Sequence, residues 1–318
     1  MSQILDIDQE KVYEIKLPVC DEGYAELMLQ GDDHFGNPHF SQSYKQRYIN
    51  ILKDHPHMQT ILMGDYFEAS DFTAEYRMIS TNKKRFKEQI AEMVQYYEPV
   101  NKQIRAALWG NHDERVLRIR YVQEVLDALD IENYLEYVLH KWLNKDIIVG
   151  TPEEGLLLFL KVGKQTYTLY VIHGRTSARY RPFIQVEHIL NTSNADIVAH
   201  GHNHVLDMRL YRKFVPDIVD NQPVRKIVEQ LGVLTGCFLR YGGYVEAKSY
   251  PLNRMGAPIL RLYKDTKFVQ PIFPHQIMGL HKYFTHAYGL TPLPPRQTIT
   301  LPEPQRVKTK LGKEYEQL

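Results

Sequence analysis

The sequence contains little cysteine and no long apolar run. Its 318 residues include two cysteines, Cys20 and Cys237, and their wide separation argues against both a disulfide framework and a thiolate metal site. No apolar stretch approaches the roughly 20 residues that a membrane-spanning helix needs, and residues 1–17 include acidic side chains where a signal peptide would be basic. We therefore expect a soluble, cytoplasmic protein that has no membrane partner.

The sequence also lacks a charge imbalance. It has 39 lysines and arginines against 38 aspartates and glutamates, which gives a formal net charge of +1 at pH 7. The protein as a whole therefore exerts no strong attraction on nucleic acid or on an anionic surface, and any basic surface must be local. Hydrophobic residues make up 43% of the chain, and together with its length this predicts a large folded domain with a sizeable core.

What the sequence does contain is a recurring pattern in which a short apolar run ends in a cluster of polar, ionisable residues. Five such junctions occur: AELMLQ before GDDH, TILM before GDYFE, IRAALW before GNHDE, TYTLYVI before HGR, and ADIVA before HGHNH. We interpret each run as a buried strand that ends in a loop. The stretches 40–55, 82–102, and 114–129 continuing through 134–143 have helical character. Strands that alternate with helices predict an α/β fold with functional residues at the strand ends.

The last third of the chain has a different pattern. After His204 the apolar and polar residues alternate, with turn signals at Asp220–Asn221 and Gly242–Gly243, which predicts antiparallel sheet or long hairpins. The segment from Pro271 onward is rich in proline and ends in a polar stretch. We therefore expect residues 271–318 to form a tail that wraps the surface or is partly disordered.

Taken one at a time, the polar side chains at the five junctions have ordinary explanations. Asp32 and His34 could be loop residues, and Asp65 could cap a helix or occupy a turn. Asn111 could belong to a polar turn. A single histidine at a strand end, such as His173, more often packs in a core or a turn than binds a metal.

In combination, these side chains indicate a metal site. Histidines crowded beside carboxylates suffer desolvation and mutual repulsion that a bound cation removes. The mixture of oxygen and nitrogen donors suits Mn first, and also Fe, Zn, Co or Ni, rather than Ca. The five junctions together supply enough ligands for two divalent cations. The predicted ligands are Asp32, His34, Asp65, Asn111, His173, His202 and His204.

This ordered set of motifs resembles that of the calcineurin-like metallophosphoesterase family. The matching blocks are DDH at 32–34, GDYFE at 64–68, GNHD at 110–113, the histidine of VIHG at 173, and GHNH at 201–204. The resemblance implies an α/β fold in which a double β-sheet sandwich is flanked by helices, an αββα arrangement. It implies a catalytic domain over 20–270, with helical insertions at about 71–105 and 114–145, because the intervals between the motifs are long.

The resemblance also implies roles for individual residues. Asp65 would bridge two cations, one held by Asp32, His34 and His204 and the other by Asn111, His173 and His202. His112 would contact the scissile phosphate and assist the leaving group, with Asp113 as its orienting partner. Arg115 and Arg175, next to the GNHD and VIHG junctions, are candidate phosphate clamps. A surface or salt-bridging arginine is the alternative for each.

The substrate is less sharply defined by the sequence. GDDHFG and GDYFE look closer to the DNA-repair exonuclease and phosphodiesterase branches of the family than to its protein phosphatases. Basic stretches at 83–85, 115–120, 179–181 and 209–213 could track a nucleic-acid backbone, although solvated helix faces explain them equally well. We therefore expect a hydrolase of phosphodiesters, with DNA or another nucleic acid as the leading substrate. The alternatives are a phosphomonoesterase, a small-nucleotide phosphodiesterase, and a non-catalytic interaction scaffold on the same fold.

Overall fold

The structure is a computed structural model. It describes residues 12–69, 84–118, 124, 126–151, 154–174, 181–219, 221–242 and 254–272, together with two short strands near the C-terminus. The chain divides into two compact units, residues 1–276 and residues 277–318. The first unit contains the two large sheets and the described helices.

The twelve strands of the first unit are, in chain order, β1 (Val12–Lys16), β2 (Tyr24–Gln30), β3 (Gln59–Leu62), β4 (Ile104–Ala107), β5 (Ile148–Val149), β6 (Leu156–Val162), β7 (Gln165–Ile172), β8 (Ile197–His200), β9 (Leu206–Val219), β10 (Gln222–Thr235), β11 (Ile259–Tyr263) and β12 (Val269–Ile272). The four described α-helices are α1 (Gln42–Asp54), α2 (Phe86–Tyr97), α3 (Tyr134–Trp142) and α4 (Ile184–Thr192). In the second unit, β13 (Val307–Lys308) and β14 (Glu314–Tyr315) pair antiparallel.

The strands of the first unit form two mixed, six-stranded sheets. Sheet A has the order β1-β6-β7-β8-β10-β9, in which β7, β8 and β10 run parallel and β9 forms a long antiparallel hairpin with β10. Sheet B has the order β12-β11-β2-β3-β4-β5, in which β2 to β5 run parallel. The parallel strands matter most for function, because their carboxyl ends lie at one edge of each sheet.

The hydrophobic core lies between the two sheets. In β6 the residues Leu156, Leu158, Leu160 and Val162 are buried, and those between them are partly exposed. This period of two gives the sheet one apolar face, which must be covered by another layer. Residues from both sheets meet in a single cluster, among them Leu27, Leu29, Ile61, Leu158, Leu169, Val171 and Val233.

Helices cover the outer faces of the sandwich. On sheet A, Val186 and Leu190 of α4 pack against Val198 of β8 and Leu234 of β10. On sheet B, Lys45 of α1 reaches Gln30 of β2, and α1 packs against α2. Strands β2 and β3 are therefore buried almost throughout, with one face in the core and the other under helices. The predicted α/β fold, a double β-sheet sandwich flanked by helices, is confirmed.

The local predictions agree with the structure at the five strands and at most helices. The helix predicted over 82–102 is α-helical in α2 and continues as a 3-10 helix over Glu98–Gln103, where Pro99 begins a new turn. The helix predicted over 114–129 is corrected in its first part, since Asp113–Arg118 form a 3-10 helix. A separate helix begins at α3, where the Asn133 side chain accepts a hydrogen bond from the Glu136 N–H at 3.0 Å.

The two sheets extend beyond the predicted domain limits, residues 20 and 270, at both ends. β1 precedes residue 20 and pairs parallel with β6, and β12 extends to Ile272. The division into a catalytic domain, insertions and a tail stays a prediction, because residues 70–83 and 273–306 lie outside the described part of the chain. Among the described residues, no helix combines the length and the apolar character needed to cross a membrane.

Candidate metal centre

The predicted ligands lie at the strand ends that meet at one end of the sandwich. In sheet B, Asp32, Asp65 and Asn111 follow the carboxyl ends of the parallel strands β2, β3 and β4. In sheet A, His173 follows β7 directly, and the turn that contains His202 and His204 follows β8. The topology thus gathers residues that are up to 172 positions apart in the sequence.

Three overlapping groups of side chains could each hold a metal ion. Within every group the ligand atoms lie within 4.8 Å of one another, and most of these side chains are buried. Asp65 belongs to two of the groups, and so does His34. The groups are Asp32 with His34 and His204, His34 with Asp65 and His112, and Asp65 with His173 and His202.

One oxygen of Asp65 lies between the two halves of the site. Its Oδ2 is 3.7 Å from Nε2 of His34 and 3.3 Å from Nε2 of His173. Its other oxygen, Oδ1, accepts the main-chain N–H of His112 at 2.8 Å. Oδ2 therefore faces ligand atoms on both sides, which is the arrangement that a bridging carboxylate requires.

The remaining spacings also fit shared cations. Nε2 of His204 lies 3.3 Å from Oδ1 of Asp32 and 3.2 Å from Nε2 of His34, and Nε2 of His173 lies 3.3 Å from Oδ1 of Asn111. Ligands bound to a tetrahedral metal at about 2.0–2.1 Å are about 3.3 Å from one another. When two imidazole nitrogens face each other, as Nε2 of His34 and Nε2 of His204 do, at most one of them can donate a hydrogen bond to the other. A cation between them can instead accept the lone pairs of both. The donor set therefore fits two divalent cations.

The backbone at the ligands is strained. Non-glycine residues rarely adopt a left-handed backbone, which costs about 1 kcal/mol or more. Hydrogen bonds hold the conformation here: the N–H of Asp32 donates to the Gly64 carbonyl, and the N–H of His34 to the Asp65 carbonyl, each at 2.9 Å. Five of the seven predicted ligands have this conformation, at φ values of 50° to 64°: Asp32, His34, Asp65, His202 and His204.

The site stabilises positive charge close to Asp65. Burial opposes ionisation of this carboxyl, but the charges of His173, His112 and His34 outweigh it and hold the pKa of Asp65 well below its usual range. Burial likewise opposes protonation of His173, yet Asp65 outweighs it and raises the pKa of His173 to about 9. At His202 burial dominates and lowers the pKa to about 4. The same electrostatic field that holds a proton on His173 favours a bound cation in its place.

Gly110 is required by the close approach of the two ligand loops. A Cβ at this position would overlap the main-chain nitrogen and the carboxylate of Asp65. A side chain there would push Asn111 and Asp65 apart, so the glycine of GNHD is a packing requirement of the site.

Two ligands are oriented by partners outside the predicted set. Nδ1 of His173 lies 2.7 Å from the carbonyl oxygen of Met63, so Nδ1–H donates there and Nε2 faces the site. Nδ1 of His34 lies 3.2 Å from Oε2 of Glu68, which also accepts a hydrogen bond from Asn37 at 2.7 Å. Sequence reasoning gave Glu68 no role, although it occupies the last position of the GDYFE motif.

Asp113, which is predicted to orient the His112 ring, also contacts main-chain groups of two loops. Its carboxylate accepts hydrogen bonds of 2.8–3.2 Å from four main-chain N–H groups, those of Asp65, Tyr66, Phe67 and Gly110. Asp113 therefore joins the GNHD loop to the GDYFE loop, and it fixes Asp65 and Asn111 relative to each other.

His112 is buried, and Nδ1 of its ring faces Arg115 and the main chain of Glu68. Nδ1 lies 2.9 Å from Nη1 of Arg115 and 2.9 Å from the carbonyl oxygen of Glu68. An arginine can only donate and a carbonyl oxygen can only accept, so the contact with Arg115 favours a proton on Nε2 and the contact with Glu68 favours a proton on Nδ1. Burial lowers the pKa of His112 to about 4, which favours the neutral ring.

Asp33, the middle residue of DDH, was given no role from the sequence, and the structure places it in a buried polar network. Its carboxylate pairs with Lys45 and accepts a hydrogen bond from Tyr97. Lys45 also lies 4.4 Å from the ring centroids of Tyr97 and of Phe238. This network fixes the loop that carries Asp32 and His34.

The predicted phosphate-binding arginines remain predictions. Arg115 is placed beside His112, whereas Arg175 lies outside the described residues. Of the basic stretches, 209–213 is already engaged: Arg209 pairs with Asp207 and Arg212 with Glu229, and Lys213 donates to the Leu190 carbonyl. These contacts favour a structural role for that stretch over a role in tracking phosphates.

Fold and site together define a metal-binding α/β protein of the phosphoesterase type. The model of the calcineurin-like phosphoesterase family matches residues 31–206, which is more than half of the chain. The chain therefore belongs to the calcineurin-like phosphoesterase family. A comparison with curated proteins gives no match.

Several solved structures are similar to this chain at low sequence identity. A metallophosphoesterase from Sphaerobacter thermophilus has 13% identity and a TM-score of 0.36, with 84% of this chain and 95% of that chain covered. Vacuolar protein sorting 29 from Cryptosporidium parvum has 13% identity and a TM-score of 0.40, with 79% and 96% covered. A predicted phosphoesterase from Streptococcus pneumoniae has 12% identity and a TM-score of 0.32, with 78% and 97% covered.

Proposed function

We propose that the chain is a phosphodiesterase that depends on two divalent cations, with manganese as the first candidate metal. The observation that carries the proposal is the position of Oδ2 of Asp65 between His34 and His173. Two neighbouring cations with a shared carboxylate are a recurrent arrangement for hydrolysing phosphate esters. The family membership of the chain supports the same reaction class.

In this proposal the chain's side chains divide into two ligand sets that share Asp65. When bound, the two cations supply Lewis acidity at the phosphate and an activated water. One set is Asp32, His34 and His204, and the other is Asn111, His173 and His202. Asp113 keeps the two ligand loops in register through its four main-chain hydrogen bonds.

His112 is proposed to donate a hydrogen bond from Nε2–H to the departing oxygen. The ring lies in one cluster with His34 and Asp65, next to both proposed ligand sets. Arg115 and the carbonyl oxygen of Glu68 position the ring through Nδ1. The neutral ring donates a hydrogen bond throughout the neutral pH range, because burial lowers the pKa of His112 to about 4.

Nucleic acid is the first substrate class to test within this proposal, followed by small nucleotide diesters and phosphomonoesters. The net charge of +1 provides no general attraction to a polyanion, so binding would depend on groups near the site. A non-catalytic scaffold is the alternative from another class. The complete ligand set and the placement of His112 among the ligands favour an enzyme.

The decisive experiment is an assay of the chelator-treated chain with Mn²⁺ added back. A chromogenic phosphodiester, single- and double-stranded DNA, RNA, cyclic nucleotides and phosphomonoesters form the substrate panel. We expect diester hydrolysis that returns with Mn²⁺, is lost in Asp65→Asn, and is retained in Asp54→Asn, a change at an exposed carboxylate on α1. Hydrolysis of monoesters alone would reassign the substrate. Two bound ions without turnover of any substrate would favour the scaffold.

A further inference from the structure

A further group of side chains that can bind a metal lies away from the candidate metal centre. It consists of Glu26 on β2 and of His55 and His57, which flank Pro56 in the turn between α1 and β3. Glu26 lies six residues before Asp32 along the same chain direction, so the two groups are roughly 20 Å apart at the rise of an extended strand. The group therefore belongs to the opposite end of sheet B.

The three side chains converge on one carboxylate oxygen. Oε2 of Glu26 lies 3.1 Å from Nε2 of His57 and 3.7 Å from Nδ1 of His55, and all three ligand atoms lie within 4.8 Å of one another. These separations bracket the value of about 3.3 Å expected between ligands of a tetrahedral zinc ion. They also resemble the spacings found among the ligands of the candidate metal centre.

The turn that carries the histidines is held in place by the rest of the fold. Nε2 of Gln103 lies within hydrogen-bonding distance of three carbonyl oxygens, those of Leu52, His55 and Met58, at 2.8, 3.1 and 2.8 Å. His55 also ends helix α1, where the aligned carbonyl groups create a partial negative charge that attracts cations. Ligands preorganised in this way bind a metal with less ordering cost.

Neighbouring groups orient the carboxylate and leave one oxygen for a metal. Nε of Arg261, on the adjacent strand β11, donates to Oε1 of Glu26 at 2.9 Å. The guanidinium therefore engages Oε1 of Glu26, and Oε2 faces the two imidazoles.

The side chains are accessible enough for an ion to enter. The rings of His55 and His57 are 41% and 32% exposed, whereas Glu26 is 3% exposed. Two imidazoles and one carboxylate, with a fourth position open to water, form a common zinc ligand set.

We propose that Glu26, His55 and His57 form a third cation site, of the zinc type, which fastens the turn between α1 and β3 to strand β2. The site is separate from the reaction centre. It does not depend on the proposed phosphodiesterase activity.

The test counts zinc ions per chain after equilibrium dialysis of the full, chelator-treated chain against Zn²⁺ alone. We expect the wild-type chain to bind one ion more than His57→Asn, His55→Asn or Glu26→Gln. His188→Asn, which changes an exposed histidine on α4, should bind as many ions as the wild type. Turnover of a chromogenic phosphodiester should be unchanged in the two histidine variants of the turn.

The test compares the number of zinc ions bound by the wild type and by each variant. Ions bound at the candidate metal centre are common to both and cancel, so the result does not depend on the proposed function. If the candidate metal centre held no ion, the wild type would bind one zinc and His57→Asn none, and the third site would stand. Equal zinc content in the wild type and in folded His55→Asn, judged by circular dichroism, overturns the proposal. His55 is the more exposed ring, so its variant serves if the change at His57 disturbs the fold.

Discussion

Nζ of Lys45 lies 2.7 Å from Oδ1 of Asp33, and neither side chain is exposed to solvent. The same ammonium donates to the hydroxyl of Tyr97 at 2.6 Å and to the amide oxygen of Gln30 at 2.9 Å. All three of its protons therefore have acceptors. Burial lowers the pKa of Lys45, and the attraction of Asp33 opposes that shift.

Lys45→Met should destabilise the fold strongly. Removal of one partner of a buried pair leaves an uncompensated charge, here on Asp33, at a cost of about 3–5 kcal/mol. The free energy of unfolding from urea titration measures this loss, and the exposed Lys53→Met on the same helix is the control. The double variant Lys45→Met with Asp33→Asn should recover much of the loss. If Lys45→Met behaved like Lys53→Met, the pair would not hold the DDH loop.

Asp113→Ala should weaken both folding and metal binding. Four main-chain N–H groups lose their acceptor, and each buried donor left without a partner costs about 1–3 kcal/mol. Asp65 and Asn111 then lose their fixed separation, so we expect Mn²⁺ content and unfolding free energy to fall together. Metal analysis and thermal unfolding of the same sample check both. Normal metal content in a destabilised variant would contradict the role in joining the two loops.

His112→Ala should separate metal binding from turnover. The ring donates to the substrate in the proposed mechanism, so kcat should drop by about 10²–10⁴-fold while Mn²⁺ content persists. Arg115→Ala should lower kcat less, because it leaves the ring in place and removes its contact at Nδ1. Unchanged turnover in His112→Ala would remove this histidine from the reaction.

The gathering of the ligands could be predicted from the sequence because it depends on short, local patterns. An apolar run that stops at a polar cluster identifies a strand end, and parallel strands bring their ends to one edge. Asp65, for example, is predictable as a residue that follows TILM and Gly64. Its position between His34 and His173 follows from the topology alone.

The supporting contacts could not be predicted in the same way, because they join residues far apart in sequence. A lysine such as Lys45 normally indicates an exposed helix face, and only the packing of α1 on sheet B reveals that it is buried. The main-chain contacts of Asp113 could not be predicted for a related reason. The motif places a carboxylate beside His112, but the geometry of the loop directs it to main-chain groups.

The strand β1 illustrates the same limit at the level of the fold. Its five residues, VYEIK, are too few and too irregular in pattern to distinguish a strand from a loop. Its pairing partner β6 lies about 140 residues later in the chain, so no local pattern connects the two.

The acid stability of the metal-free protein should depend on His200, a buried histidine outside the predicted ligand set. Its Nδ1–H donates to the Gly201 carbonyl at 2.7 Å, and Nε2 is buried without a hydrogen-bond partner in the described structure. Burial lowers the pKa of His200 to about 4, so between pH 6.5 and 4 the unfolded chain takes up a proton that the folded chain does not.

His200 therefore does not change the free energy of unfolding above about pH 6.5. As the pH falls toward 4, it lowers this free energy progressively, by about 3 kcal/mol at pH 4. His200→Gln cannot take up that proton, so the difference in unfolding free energy between variant and wild type should move in the variant's favour across this range. Urea titrations of the chelator-treated proteins at several pH values measure the difference, with the exposed His188→Gln as control. If the difference in unfolding free energy stayed constant from pH 7 to pH 4, His200 would take up its proton as readily in the folded chain as in the unfolded chain.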